Sequence, residues 1–182
     1  MAQFKKCVAV YCASALGHDP VYREQAEELG RLMAAQGREL VYGSGNLGLM
    51  GAVSGAVKKG GGKTVGINVT RFHRAEFEPM SDVYQVTHNM AERKITMLDC
   101  CDANIALPGG TGTLDELTEV LVQLQICATE KPMGLLNVKG FYDPLLQLFK
   151  NMLDAGFLKQ KDYDRLIVRE SAQALLEALD EV

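Results

Sequence analysis

The sequence contains no tryptophan, and only 7% of its residues are aromatic. Its apolar runs are too short to span a bilayer, so no segment reads as a transmembrane helix. Basic excess is missing too: 19 Lys and Arg stand against 23 Asp and Glu, a formal net charge of −4. A surface that tracks nucleic-acid phosphates needs clustered positive charge, so nucleic acid is not an expected partner. The five cysteines (Cys7, Cys12, Cys100, Cys101 and Cys127) form no CxxC pair and no zinc spacing. Most lie in apolar stretches, where a free thiol behaves as a small hydrophobe, and an odd, unpatterned set fits a reduced, cytoplasmic setting. His18, His73 and His88 are scattered without metal-ligand spacing. No Walker lysine motif, HExxH or nucleophile elbow occurs.

What remains is an ordinary globular composition with one irregularity. The chain has 182 residues, 47% hydrophobic and 23% charged, a length that suits one domain with a full core. Its 18 glycines are unevenly spread: eight lie between Gly43 and Gly62, and three more are Gly109, Gly110 and Gly112. Glycine packed that tightly suggests backbone brought close to something. Near the N-terminus, Lys5-Lys6 before the apolar run Cys7 to Leu16 imitates a signal peptide. A buried first strand running into a loop is the stronger reading, because the pattern that follows needs one.

That pattern alternates strands and helices. Strands are expected at 5–13, 39–42, 63–69, 83–87, 103–107, 133–138 and 167–168, each short and apolar. Helices are expected at 21–36, from the GSGNLGLMG segment to about 59, at 90–100, 114–127, from 143 onward and at 171–179. Asp19-Pro20 supplies an N-cap and a first-turn proline, and 71–81 reads as a loop. Short apolar strands separated by helices predict an α/β fold: a single-domain, Rossmann-like, doubly wound parallel sheet with helices on both faces. Such sheets bind ligands at the carboxyl ends of their strands, beside the point where strand order reverses. Both glycine clusters fall at that end.

Gly43-Ser44-Gly45-Asn46-Leu47-Gly48 is a literal GxGxxG. A dinucleotide site also needs an acid about 20 residues on, to hold the ribose hydroxyls. The stretch GGKTVGINVTRF has none, and the motif follows the second strand rather than the first. Nicotinamide binding is therefore demoted. A loop approaching phosphate or ribose and a tight turn with helix packing through Gly48, Gly51 and Gly55 both stay open.

Pro108-Gly109-Gly110-Thr111-Gly112-Thr113 offers a run of backbone N–H donors and two hydroxyls at a helix start, the ingredients of an anion nest. Thr113-Leu114-Asp115-Glu116 reads as a capping box, and from spacing alone that role for Glu116 outweighs catalysis. Two carboxylates beside an anion nest oppose anion binding, so one of them is expected to face another part of the ligand, such as a ribose. Upstream, Asn89-Met90-Ala91-Glu92 has the spacing of a second cap, which puts Arg93 and Lys94 early in a helix. Cations there oppose the helix dipole, which a nearby anion would explain; a solvated surface pair or bridges to Glu92 and Asp99 are the blander alternative. Ser14 either donates to a phosphate or caps its turn. Met90 and Met97 fall at helical spacing, which more often means core than ligand contact.

Taken together, these segments resemble the LOG (Lonely Guy) family. Pro108 to Glu116 matches its PGGxGTxxE motif, Glu92-Arg93-Lys94 its ERK segment, Tyr42 to Gly51 its YGGGxxGLMG loop, and Tyr11-Cys12-Ala13-Ser14 its FCGS start. Order and spacing fit from about residue 5 to 180, with Ala13 and Ser44 replacing usual glycines. The resemblance implies a nucleoside 5′-monophosphate phosphoribohydrolase acting on AMP or an N6-substituted (cytokinin) AMP, without metal or organic cofactor. It further implies an even homo-oligomer, at least a homodimer, with the site near its interface. The older lysine decarboxylase label of such proteins implies pyridoxal phosphate and a Schiff-base lysine, for which the sequence offers no physical case. Matched residue by residue, the essential Arg and Glu fall on Arg93 and Glu116. The substrate-binding candidates are Gly109, Gly110, Thr111, Gly112, Thr113 and Asp115, with Met90, Lys94, Ser14, Gly43 and Gly45. The expected alternative is a nucleotide-binding or carrier module that uses the same phosphate nest without catalysis.

Overall fold

The computed structural model describes residues 6–72 and 81–182. The expected loop at 71–81 and His73 therefore fall largely outside the described residues.

Seven parallel strands form one sheet in the order β4-β3-β2-β1-β5-β6-β7. They are β1 Cys7–Tyr11, β2 Glu39–Tyr42, β3 Thr64–Val69, β4 Val83–Thr87, β5 Ala103–Ala106, β6 Met133–Leu136 and β7 Leu166–Arg169. The chain winds outward from β1 to β4, then crosses back to lay β5 against β1, with Val10 opposite Ile105. Strand order reverses between β1 and β5. The helices are α1 Pro20–Ala35, α2 Gly48–Lys59, α3 Met90–Asp99, α4 Thr111–Gln125, α5 Asp143–Asp154, α6 Gln160–Tyr163 and α7 Ala172–Asp180. None is long and apolar enough to cross a membrane.

Strand alternation builds two cores. Val8 and Val10 of β1, with Leu40 and Tyr42 of β2, face α1, α2 and α7, where Leu29, Met33, Val53, Val57 and Leu176 meet them. Ala9, Tyr11 and Val41 point the other way, onto Met97 of α3 and Leu117, Val120 and Leu124 of α4. Side chains two apart share a face, so one apolar run supplies both layers. The doubly wound sheet expected from the alternation is therefore present.

Local signals account for most element ends. Asp19 caps α1 by accepting from the Val21 N–H at 3.0 Å, with Pro20 in the first turn. Asn89 caps α3 by accepting from the Glu92 N–H at 2.9 Å, while the Glu92 carboxylate takes the His88 N–H. The start of α4 departs from expectation. It begins at Thr111, with Gly110 as N-cap and no side chain bonded to its end. Thr113 and Glu116 are therefore interior helix residues, and no capping box exists. The short helix α6 also has no counterpart in the periodicity of the sequence.

Candidate active site

The carboxyl ends of β1, β2 and β5 surround a cavity of about 570 Å³ at the point of reversal. Ala13, Ser14, Gly43, Met90, Arg93, Glu116 and the turn Gly110 to Thr113 line it. The two strand-end loops are tied together by the Ala13 N–H, which donates to the Pro108 carbonyl at 3.4 Å. The Tyr142 hydroxyl supports the PGG turn from beneath, donating to the Leu107 carbonyl at 2.6 Å.

Glycine at two positions decides the geometry. A Cβ on Gly109 would stand 2.1 Å from Thr113 Oγ1, so its absence lets the buried Thr113 side chain fold over the turn. A Cβ on Gly43 would stand 2.0 Å from Arg93 Nη2, so the guanidinium fits only against bare backbone. Arg93 reaches this place from α3. Its Nε donates to the Ile67 carbonyl at 3.1 Å, Nη1 meets Met90 Sδ at 3.6 Å, and Nη2 pairs with Glu116 Oε1 at 3.2 Å.

Glu116 is 7% exposed, on the inner face of α4. Burial raises its carboxyl to about 6, with Asp115 adding to the rise, while Arg93 and Lys94 oppose it. A carboxylate held near neutrality can exchange a proton at physiological pH. Burial also pushes the neighbouring Cys12 thiol far up, so it stays protonated and is no nucleophile. At the N-terminal end of α4, Gly110 to Thr113 line the cavity, and no described side chain caps the helix's first N–H groups. Uncapped N–H groups at a helix N-terminus form a ready anion site.

Several expected residues fall elsewhere. Gly45 packs against Met50, and neither it nor Gly109 lines the cavity. The GxGxxG segment does not offer its helix amides to a ligand. The Leu49 and Met50 N–H groups donate to the Ala13 carbonyl at 3.0 and 3.3 Å, and Gly48 gives space for the Ser14–Ala15 backbone. Gly51 makes room for the Asn46 carbonyl, whereas a Cβ on Gly55 would meet open space, so helix packing through Gly55 is not its role. Lys94 and Asp115 do not line the cavity but pair with each other at 2.9 Å. The bridges considered from Lys94 and Arg93 to Asp99 and Glu92 are replaced by Asp115, Glu119 and Glu116. Cys12, Met50 and Phe72 also line the cavity. Sequence reasoning passed over them, although Cys12, directly after β1, was signalled by its place at a strand's carboxyl end.

Comparison with known proteins follows the same pattern. A family model described as possible lysine decarboxylase matches residues 50–179. The cytokinin riboside 5′-monophosphate phosphoribohydrolase LOG of Oryza sativa subsp. japonica is 42% identical over 176 residues, which cover 96% of this chain and 72% of that protein. The Arabidopsis thaliana enzyme of the same activity, LOG1, is 37% identical over 182 residues, covering 99% and 84%. Among solved structures, a molybdenum cofactor binding protein from Rippkaea orientalis superposes with a TM-score of 0.74 at 24% identity, covering 97% of this chain and 96% of that one. A Moco carrier protein from Chlamydomonas reinhardtii gives 0.71 at 22%, with 97% and 96% covered. At these identities the two structures speak for a shared fold alone.

Proposed function

This chain belongs to the LOG family, and from that membership and the cavity's geometry we propose that it hydrolyses the N-glycosidic bond of a nucleoside 5′-monophosphate. The substrates are AMP or an N6-substituted AMP, and the products are the free base and ribose 5-phosphate. One observation carries the reading: an uncapped helix N-terminus and a buried carboxylate lie on the same helix, facing one cavity. From Thr111 to Glu116 the helix rises about 7.5 Å, the scale of a ribose between its 5′-phosphate and C1′.

Cleavage passes through an oxocarbenium-like sugar with positive charge at C1′. The Glu116 carboxylate stabilises that charge and takes a proton from the attacking water. The water oxygen bonds C1′, the C1′–N bond breaks, and its electron pair leaves with the base, which solvent protonates. Backbone N–H groups of Thr111, Gly112 and Thr113 hold the phosphate, and Ser14 adds a hydroxyl. Arg93 orients Glu116 and the nucleotide.

The description as a lysine decarboxylase would require a lysine to bind pyridoxal phosphate as a Schiff base. Among the described residues no lysine lines the cavity, so that cofactor does not fit and no step runs through it. Exposed Ile95 on α3, with Leu114 and Val122 on α4 and Ile126 at its end, lies on the helices that carry Arg93 and Glu116. Exposed apolar side chains on these two helices suit burial against a second copy, which supports a homodimer with the site near its interface. Five free cysteines and a nucleotide substrate fit a cytoplasmic location.

Incubation with a panel of nucleosides and their 5′-monophosphates, with chromatographic assay of free base and ribose 5-phosphate, tests the reaction. Base should leave the monophosphates and not the nucleosides. Tight AMP binding without base release would replace the hydrolase by a binding or carrier module.

A further inference from the structure

Arg93 and Lys94 are adjacent in sequence, yet they face different surroundings. Successive helix residues point about 100° apart, so two neighbours cannot both enter one pocket along the same direction. Arg93 points inward to the Ile67 carbonyl and Glu116. Lys94 points across to α4, where its Nζ meets Asp115 Oδ1 at 2.9 Å and Glu119 Oε2 at 3.0 Å. Its side chain is only 13% exposed, so the ammonium, neutralised by two carboxylates, is mostly sheltered from water. Asp115 and Glu119 lie one helical turn apart, on either side of Glu116 in the sequence. The same two helices that hold the Arg93–Glu116 pair are thus bridged a second time, one residue further along α3.

We infer that Lys94 is a positioning residue: it struts α3 against α4 and so fixes Arg93 beside Glu116, rather than contacting the nucleotide. The inference rests on the hydrolase reading only for what Glu116 does, not for the strut itself.

Removing the counterions separates the two roles, because they predict opposite signs. In the Asp115→Asn/Glu119→Gln double variant Lys94 is released. A lysine that binds nucleotide would then bind AMP as tightly or more tightly, and turnover would hold. A strut would fail, lowering kcat by about 10-fold or more with KM for AMP nearly unchanged, as expected when a catalytic group is misplaced. Exchanging the charges, Lys94→Glu with Glu119→Lys, should recover most of the activity that Lys94→Glu alone loses. A substrate cation could not be rescued this way.

A second readout needs no turnover. In the double variant, neutralising Asp115 removes a neighbour that raises Glu116, so direct electrostatics alone would lower the Glu116 titration. Loss of the strut lets Arg93, the principal influence opposing burial, move away, and the titration rises above about 6. Carbon-13 NMR of the Glu116 carboxyl measures it, with thermal melting to verify folding. A Glu116 titration that falls or stays, or AMP binding that tightens with turnover intact, overturns the inference. Absence of base release by the wild-type protein would sink the hydrolase reading and leave the NMR test standing.

Discussion

Two largely buried arginine–carboxylate pairs sit at opposite ends of the sheet, and they are built differently. At the amino ends of the strands, Arg38 before β2 is 1% exposed and grips both oxygens of Asp180, the last residue of α7, at 3.0 and 2.5 Å. Its Nε is taken by Gln36 at 2.7 Å. At the carboxyl ends, Arg93 gives its Nε to the backbone and touches Glu116 through one nitrogen at 3.2 Å. Beyond that single contact no described residue donates to the Glu116 carboxylate, which opens on the cavity. The first pair is a saturated bidentate clamp, which fastens the last helix to the second strand. The second keeps unspent acceptor capacity and a carboxyl raised to about 6. Shelter of a charged pair is thus common to both places, and the carboxylate that opens on the cavity distinguishes the reactive one.

The comparison is broken most sharply at Glu116. Glu116→Gln should lower base release by about 10²- to 10⁴-fold, the usual contribution of a general base. Its melting temperature at neutral pH should hold or rise, since an amide is easier to bury than a carboxylate. The pH dependence follows from the same cause. A carboxyl at about 6 in the folded chain binds its proton more tightly than in the unfolded chain, near 4.5. It therefore adds stability as pH falls from 6 toward 4.5 and withdraws it as pH rises, by about 2 kcal/mol over that window. Urea titrations at pH 4.5 and 7 should show that slope in wild type and lose it in Glu116→Gln. The acidic limb of kcat/KM should sit near 6 rather than 4.5, because the carboxylate is the working form.

The reverse outcome is expected at Asp180. Asp180→Ala strips a bidentate partner from a fully buried guanidinium and should destabilise the fold by about 3 kcal/mol, as in other broken buried pairs. Turnover per folded molecule should stay at the wild-type value, because the pair lies across the sheet from the cavity. Denaturant melts and active-site titration together measure this. A stable Asp180→Ala variant with lost activity would contradict the separation of the two ends.

Gly43 tests the looser pair without touching either charge. A Cβ there collides with Arg93 Nη2, the far end of a flexible side chain, so the guanidinium can move and the fold survives. Gly43→Ala should therefore cost under about 1 kcal/mol of stability yet lower turnover by about 100-fold, the scale of a misplacement near 1 Å. Equal losses in stability and activity would make the glycine a packing residue.

These positions also mark how much was legible in the sequence. The strand–helix alternation, the Asp19 and Asn89 caps and the two strand-end clusters were readable because they depend on near neighbours. Glu116 was readable only through the family resemblance, since by spacing alone its capping box is locally sound. What defeats it is Gly110 starting α4 earlier, so that Glu116 turns inward against Arg93, 23 residues upstream. Lys94 misled for the same reason: which carboxylates neutralise it depends on how α3 lies against α4. The GxGxxG loop left a ligand-approaching loop and a packing turn both open, and the Leu49 and Met50 amides that follow it are spent on the Ala13 carbonyl, a contact between distant segments.

Ser44 carries the smallest expected effect and sharpens what that loop is for. It replaces a glycine usual in the resembling family and sits at φ +60°, a left-handed backbone that costs a side-chain-bearing residue about 1–2 kcal/mol. Glycine relieves that cost, but it also gives the unfolded chain more freedom, which takes back about 0.5–1 kcal/mol. The net gain for Ser44→Gly should be about 0.5 kcal/mol, a small upward shift in denaturation midpoint. Its side chain lies over Gly66 of β3, beside Ser81, and does not line the cavity. Turnover should therefore be unchanged. A fall in base release from Ser44→Gly would instead mean that the serine sets the height of the Gly43 backbone beneath Arg93, and the loop would then belong to the reactive pair rather than to its support.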